Sequence, residues 1–193
     1  NMAAKTIVGF GNPLLDISVV TDQAFFDKYQ IKPATATLAE AKDKPIYDEI
    51  IKFEKVGYVA GGATQNSIRG AEYMSNAKGH THYVGSVGND DSGRKLAEVA
   101  KTGGVQTHYF ISEKNPTGRC AVLVKDKERS LIADLAAAND YDHAHFLSDE
   151  IQALVKSADI FYSAGFFLTV SPQTVVEIGK HCAENNKILA VNI

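Results

Sequence analysis

Short apolar, β-branched runs alternate with helix-length amphipathic segments through most of this chain of 193 residues, and that alternation constrains the fold more than any other feature. The strand-like runs are Thr6 to Phe10, His82 to Val87, Thr107 to Ile111, Ile160 to Tyr162 and Lys187 to Val191. Helical patterns lie between them at Thr64 to Asn76, with Ile68, Ala71 and Tyr73 or Met74 on one face, and at Ser92 to Lys101, Asp149 to Ser157 and Pro172 to Glu184. Strands separated by helices of this length predict an α/β fold in which a mostly parallel sheet is covered by helices on both faces.

Two regions break the alternation, residues 14–62 and 118–135. In the first, Leu15 to Val20 alternates, Asp22 to Tyr29 opens on a capping aspartate, and Thr35 to Leu38 is extended. Pro45 then stands where a first helical turn tolerates it, ahead of Ile46, Ile50, Ile51 and Phe53, and Gly57 to Ala60 is extended again. In the second, Arg119 to Val124 and Ser130 to Leu135 read as a hairpin around Lys125 to Arg129. Together these segments predict a small β-rich lid on a larger α/β domain built from residues 1–13, 63–117 and 136–193. Lids of this kind close over substrates and exclude water. Leu189 to Ile193 reads as a strand; a central strand with no following helix leaves one sheet face bare, so the larger domain is expected to be incomplete on its C-terminal side.

Composition narrows the partners. With 45% hydrophobic and 22% charged residues the chain is expected to bury a core. Twenty basic against twenty-three acidic residues leave a net charge of -3, so no positive field draws it to nucleic acid or to an anionic membrane, and a small molecule is the expected partner. No apolar run approaches the about 18 residues of a membrane span, and Asn1 to Lys5 lacks a signal-peptide core. Cys120 and Cys182 have neither metal-ligand nor redox spacing, which suits a reducing compartment and leads to a cytoplasmic, and also nuclear, expectation.

Four segments carry candidate chemistry. Gly11-Asn12-Pro13-Leu14-Leu15-Asp16 follows the first strand, where parallel sheets bind ligands. Asp16 there reads either as a solvated turn residue or as an acceptor for a vicinal diol. Gly9 and Gly11 supply two glycines of a dinucleotide fingerprint, but Leu14 holds the third position and no helix opens there. Ala60-Gly61-Gly62-Ala63-Thr64-Gln65-Asn66 places paired glycines before a helix, which is a plain cap or a ligand-facing helix amino terminus with Asn66 in reach of a hydroxyl. The acidic residues of Val84 to Gly93 suit the start of a helix. Arg129, near a hairpin end, is a solvated charge or a phosphate ligand. His143 and His145, beside Asp140 and Asp142, read as a polar loop, since two ligands without a third do not hold a metal.

Taken in order, Gly-Gly-x-x-x-Asn at 61–66 and Val-Gly-x-x-Gly at 84–88 resemble the ribokinase family of sugar and nucleoside kinases. The longer strings at 11–18, 60–67, 129–133 and 164–172 are similar to its branch acting on adenosine. The resemblance spans essentially the whole chain. It implies a ribokinase-like fold and transfer of the γ-phosphate of ATP, with Mg2+, to the 5'-hydroxyl of adenosine in purine salvage, by a monomer. It further implies that Asp16, Asn66 and the backbone of Gly62 bind the ribose and that Asn12 lies beneath the nucleoside. Leu14, Leu131, Ala133, Leu135 and Phe167 would line the base pocket, Leu38 and Cys120 would stand nearby on the lid, and Arg129 would stabilise the transferred phosphoryl group.

The chain departs from that pattern at Ala36, Ala63 and Asp134, each a change expected to retune affinity. The family's Gly-Ala-Gly-Asp segment, whose aspartate is the catalytic base, does not occur in these 193 residues, and the resemblance then makes this the nucleoside-binding part, inactive by itself. A non-catalytic adenosine-binding protein and a kinase for another nucleoside or sugar are the alternative readings.

Overall fold

The computed structural model describes residues 4–75 and 78–193. Asn76, the end of the helix expected from Thr64, lies outside the described residues, as do Asn1 to Ala3. The first half runs β1 (Ile7–Phe10), β2 (Leu14–Val20), α1 (Gln23–Tyr29), β3 (Ala36–Leu38), α2 (Lys44–Ile50), β4 (Gly57–Gly61), α3 (Ala63–Met74), β5 (Thr81–Gly88) and α4 (Asp91–Thr102). The second half runs β6 (Gln106–Ser112), β7 (Arg119–Lys125), β8 (Glu128–Asp134), α5 (His143–Phe146), α6 (Asp149–Ser157), β9 (Ile160–Ala164), α7 (Pro172–Glu184) and β10 (Ile188–Asn192). Three-ten turns at Ala136–Asn139 and Gly165–Thr169 follow β8 and β9.

These strands form two sheets. The first has the order β10–β9–β1–β5–β6 and is parallel throughout, which is the α/β architecture that the alternation predicts. One of its faces buries Val8, Phe10, Val84 and Phe161 in a cluster with Phe146, Ile151, Leu154 and Ile178 of α5 to α7. On the other, Ile68 of α3 is buried with Tyr83 and Val105.

The second sheet, β3–β8–β7–β2–β4, is mixed. Its period-two pattern assigns each face a separate task. Leu15, Ile17, Val19, Ala121, Leu123 and Ile132 point to one side and share a cluster with Phe25 and Phe26 of α1, Ile46 and Tyr47 of α2, and Leu96 and Ala100 of α4. Each large side chain buried there contributes roughly 1.5 to 3 kcal/mol. Since α4 connects β5 to β6 of the first sheet and packs on β2 and β4 of the second, the two sheets are joined by a common core. Leu14, Cys120 and Val122 point to the opposite side.

The structure corrects several expectations. On α3 the buried stripe is Thr64, Ile68 and Glu72, with Gln65, while Tyr73 and Met74 are 87% and 81% exposed. Glu72 can be buried because it accepts from the Thr81 hydroxyl at 2.6 Å and from the Gly79 amide. The hairpin connection expected over Lys125 to Arg129 contracts to Asp126 and Lys127, both with positive φ (50° and 68°), which suits the strand twist but carries no glycine signal. His143 and His145 stand not in a loop but in α5, a one-turn helix capped by Asp142. There the His143 imidazole bridges Thr174 (2.8 Å) and Glu177 (3.1 Å) of α7.

The acidic start of α4 has a structural task. Asp90 accepts from the Gly93 amide at 2.8 Å, from the Thr117 amide at 2.8 Å and from the Thr117 hydroxyl at 2.6 Å, so it caps the helix and anchors the segment entering β7. Burial works to raise its pKa, yet these hydrogen bonds outweigh burial and hold the carboxyl below its ordinary value. Asp90→Ala is expected to cost about 1 to 3 kcal/mol in urea denaturation; a loss under about 0.5 kcal/mol would show the anchor to be dispensable.

Candidate functional site

The β1–β2 turn, the amino terminus of α3, the three-ten turn after β9 and the outer face of the second sheet converge on one cavity. Its close approach depends on Gly62, which precedes α3 at φ 97°; a Cβ there would collide with the Asn12 carbonyl oxygen. Neighbouring Gly61 stands against the Asp16 carboxylate, where a Cβ would again collide. Thr64, in the first turn of α3, accepts from the Ala164 amide at 2.9 Å and so ties that helix to the Gly165–Thr169 turn.

The cavity has two adjoining compartments that share Leu14, Leu38, Gly62, Ala63, Ala133 and Phe166. The larger, of 330 Å³, adds Asp16, Asn66, Cys120 and Leu131. The smaller, of 120 Å³, adds Asn12, Thr64, Leu135 and Phe167. The structure therefore brings Asn12, Leu14, Asp16, Leu38, Gly62, Asn66, Cys120, Leu131, Ala133, Leu135 and Phe167 to a single cavity, although they span residues 12 to 167. Arg129 does not wall it. It is exposed near the β7–β8 turn, on the same face of β8 as Leu131 and Ala133 by strand alternation.

Polar groups in this largely apolar cavity are few and set apart. Burial pushes the Asp16 carboxyl up to about 6, against the pull of the Arg69 and Arg129 charges. Burial and the Asp16 charge raise the Cys120 thiol to about 12, so it stays protonated and behaves as a small apolar wall. Asn12 is 8% exposed; its Nδ2 donates to the Ala138 carbonyl (3.0 Å) and to Asn139 Oδ1 (3.1 Å), and its Oδ1 is buried without a partner among the described residues. An acceptor left open in this way suits a ligand N–H or O–H. A roomier cleft of 460 Å³ beside α1 presents the exposed Lys28–Glu49 pair and Phe25, with no comparable convergence of buried polar atoms.

A model of the pfkB family of carbohydrate kinases matches residues 31–193. The chain belongs to that family. A curated relative, adenosine kinase 1 of Arabidopsis thaliana, is 49% identical over 187 residues, which cover 97% of this chain and 54% of the relative. This chain thus spans about half the length of the curated relatives it matches. Among solved structures, adenosine kinase of Anopheles gambiae in complex with P1,P4-di(adenosine-5) tetraphosphate matches with a TM-score of 0.85 at 41% identity, covering 96% of this chain and 56% of that one. Adenosine kinase from Schistosoma mansoni in complex with tubercidin matches with a TM-score of 0.86 at 35% identity, covering 97% and 55%.

Phe166 of this pfkB-family site was not singled out from sequence, and neither was Arg69 beside Asn66. Phe166, 61% exposed, stands in both compartments, whereas Phe167, singled out from sequence, is fully buried and packs on Tyr141 and Phe10, touching only the smaller compartment. The three-ten turn decides which of the adjacent phenylalanines faces the cavity, and no periodicity announces it. A signal for Arg69 existed, since it follows Asn66 by three residues on a helix, the spacing of neighbours on one face. Asp134, expected to flank the Leu131 side of the pocket, leaves β8 on the other face and meets Lys44 at 3.4 Å; Ala36 and Ala63 do line the larger compartment. Among the described residues no group of three or more His, Cys, Asp or Glu is placed to hold a metal ion.

The Asp16 environment has a pH signature. Its folded pKa of about 6 exceeds the unfolded value of about 3.9, so the folded chain binds the proton more tightly and loses stability as pH rises from about 4 to 6. Asp16→Asn, which cannot ionise, is therefore expected to be more stable than the wild type at pH 7 by about 1 to 3 kcal/mol and nearly equal to it at pH 4. Urea denaturation at the two pH values checks this; a difference that does not grow with pH would place the carboxylate in a solvated setting.

Proposed function

We propose that this chain is the nucleoside-binding part of an adenosine kinase, which transfers the γ-phosphate of ATP to the 5'-hydroxyl of adenosine and gives AMP and ADP. The observation that carries this reading is a half-buried carboxylate, Asp16, beside Asn66 in a cavity otherwise walled by Leu14, Leu38, Leu131 and Phe166, in a chain 49% identical to an adenosine kinase. The tubercidin held by the Schistosoma relative and the adenosine-bearing ligand of the Anopheles relative support a nucleoside as the occupant.

In this reading the ribose 2'- and 3'-hydroxyls donate to the ionised Asp16, Asn66 contacts the sugar, and the base lies against the apolar walls near Asn12. Binding energy spent on the sugar and base orients the 5'-oxygen for attack on the γ-phosphorus as the bond to the β-phosphate oxygen breaks. Charge on the transferring group spreads over its equatorial oxygens, where a guanidinium such as Arg129 is suited to stabilise it. Arg129 reaches that position by closure of the second sheet over the sugar. The base for the 5'-hydroxyl proton is assigned to the Gly-Ala-Gly-Asp segment of the resemblance, not to a residue of this chain. Mg2+ is expected to arrive with ATP; among the described residues no group of three or more His, Cys, Asp or Glu is placed to hold it.

Asp16→Ala in the full-length protein is expected to weaken adenosine binding by roughly 1 to 3 kcal/mol, read by calorimetry, because the diol loses a charged acceptor. Wild-type affinity in that variant, or no preference for adenosine over inosine and fructose, would overturn the reading. Arg129→Ala is expected to lower kcat by about a hundredfold or more while adenosine affinity changes little, checked by steady-state kinetics. The reverse pattern removes Arg129 from the transition state.

A further inference from the structure

Arg69, at the end of the second turn of α3 and three residues beyond Asn66, carries a task beyond the residues assigned so far. Its guanidinium donates to the Ala60 carbonyl at 3.1 Å, on the edge strand β4, and to Asn66 Oδ1 at 3.2 Å. β4 in turn pairs with β2, where Asp16 lies opposite Val59 and Leu15 opposite Ala60. A guanidinium has donors only, so the Asn66 amide atom facing it must be the oxygen. That contact settles the amide's orientation and leaves Nδ2, a donor, for the cavity that Asn66 lines. Asp16, when ionised, only accepts. The charge of Arg69 also opposes the effect of burial on Asp16, as does Arg129; Cys120, the other titratable group facing Asp16, is held protonated.

We propose that Arg69 is the positioning residue of the diol site: by bridging Ala60 and Asn66 it presents one donor, Asn66 Nδ2, and one acceptor, the Asp16 carboxylate, to two neighbouring hydroxyls. Each hydroxyl of a vicinal diol both donates and accepts, so the pair matches two adjacent hydroxyls and matches one less well. This inference deepens the nucleoside reading and rests on it for the identity of the diol. Arg69 itself touches no reacting atom.

The test uses Arg69→Met and Arg69→Lys in the full-length protein, with two independent readouts. In kinetics, Arg69→Met is expected to raise the KM for adenosine about tenfold with little change in kcat, and to reduce the discrimination between adenosine and 2'-deoxyadenosine. Without any ligand, the pH window over which the stabilisation by Asp16→Asn grows is expected to extend to higher pH in the Arg69→Met background, and its plateau to be larger, because the charge opposing burial is gone. Arg69→Lys is expected to restore that window, as it keeps the charge, but not the discrimination, as one ammonium replaces a planar fork. A purely structural Arg69 would lower stability equally at every pH and leave discrimination intact. Unchanged KM and discrimination, or a window that stays in place, overturns the proposal. Should the wild type bind no adenosine, the nucleoside reading falls, and the ligand-free window alone decides the role of Arg69.

Discussion

The burial of Leu15, Ile17 and Val19 against α1, α2 and α4 is the constraint on which the remaining architecture depends. Because side chains alternate along a strand, committing these residues to the core turns Leu14 and Asp16 the other way. The same rule acts on β7, where Ala121 and Leu123 face inward and Cys120 and Val122 outward, and on β8, where Ile132 faces inward and Leu131 and Ala133 outward. The outer faces of three strands thus become one cavity wall as a by-product of filling one core. A register slip of a single residue would bury Asp16 among leucines and expose the core, which is a large penalty against any other pairing.

That core also governs how the second sheet can move. Leu96 and Ala100 of α4 belong to the helix between β5 and β6 of the first sheet, yet share a cluster with β2, β7 and β8. The second sheet is consequently not a flap on a free hinge. Closure over a ligand has to slide or tilt a packed face, which favours a few discrete arrangements over a continuum. The nearer parts of the site are held from the other side, by Thr64 on the Ala164 amide and by Gly62 against the Asn12 carbonyl, so one wall is rigid. Half-burying a carboxylate between those walls pushes its pKa up and so opposes folding once it ionises, and a group kept at that cost is characteristic of binding sites.

Much of this was legible in the chain. The elements of the parallel sheet follow from periodicity, and the boundaries of α4, α6 and α7 differ by at most a residue at either end from the segments read off the sequence. Short-range geometry was less legible. Asp126 and Lys127 make a two-residue turn without glycine, α5 is a single turn hidden in a polar stretch, and Phe166 and Phe167 exchange roles in a three-ten turn where neither a period of two nor of 3.6 applies. On α3, Tyr73 and Met74 looked apolar enough to face inward, but Glu72 takes the buried place because Thr81 and Gly79 satisfy its oxygens. A hydrogen-bond partner seven to nine residues away is not something that hydropathy can register.

The sequence by itself determined which segments become strands and helices, that glycines stand where the chain must pass close to itself, and that a lone carboxylate follows the first strand. These are local matters, decided by β-branching, by the presence or absence of a Cβ and by the spacing of apolar residues. Only the tertiary structure decided that Asp16, Asn66 and Cys120 share a cavity with Phe166, and that Arg69 looks back toward them while Asp134 looks away. Those relations depend on how two sheets dock across one helix, and the docking is set by the summed burial of residues far apart in the chain, each of which carries only a small part of the instruction.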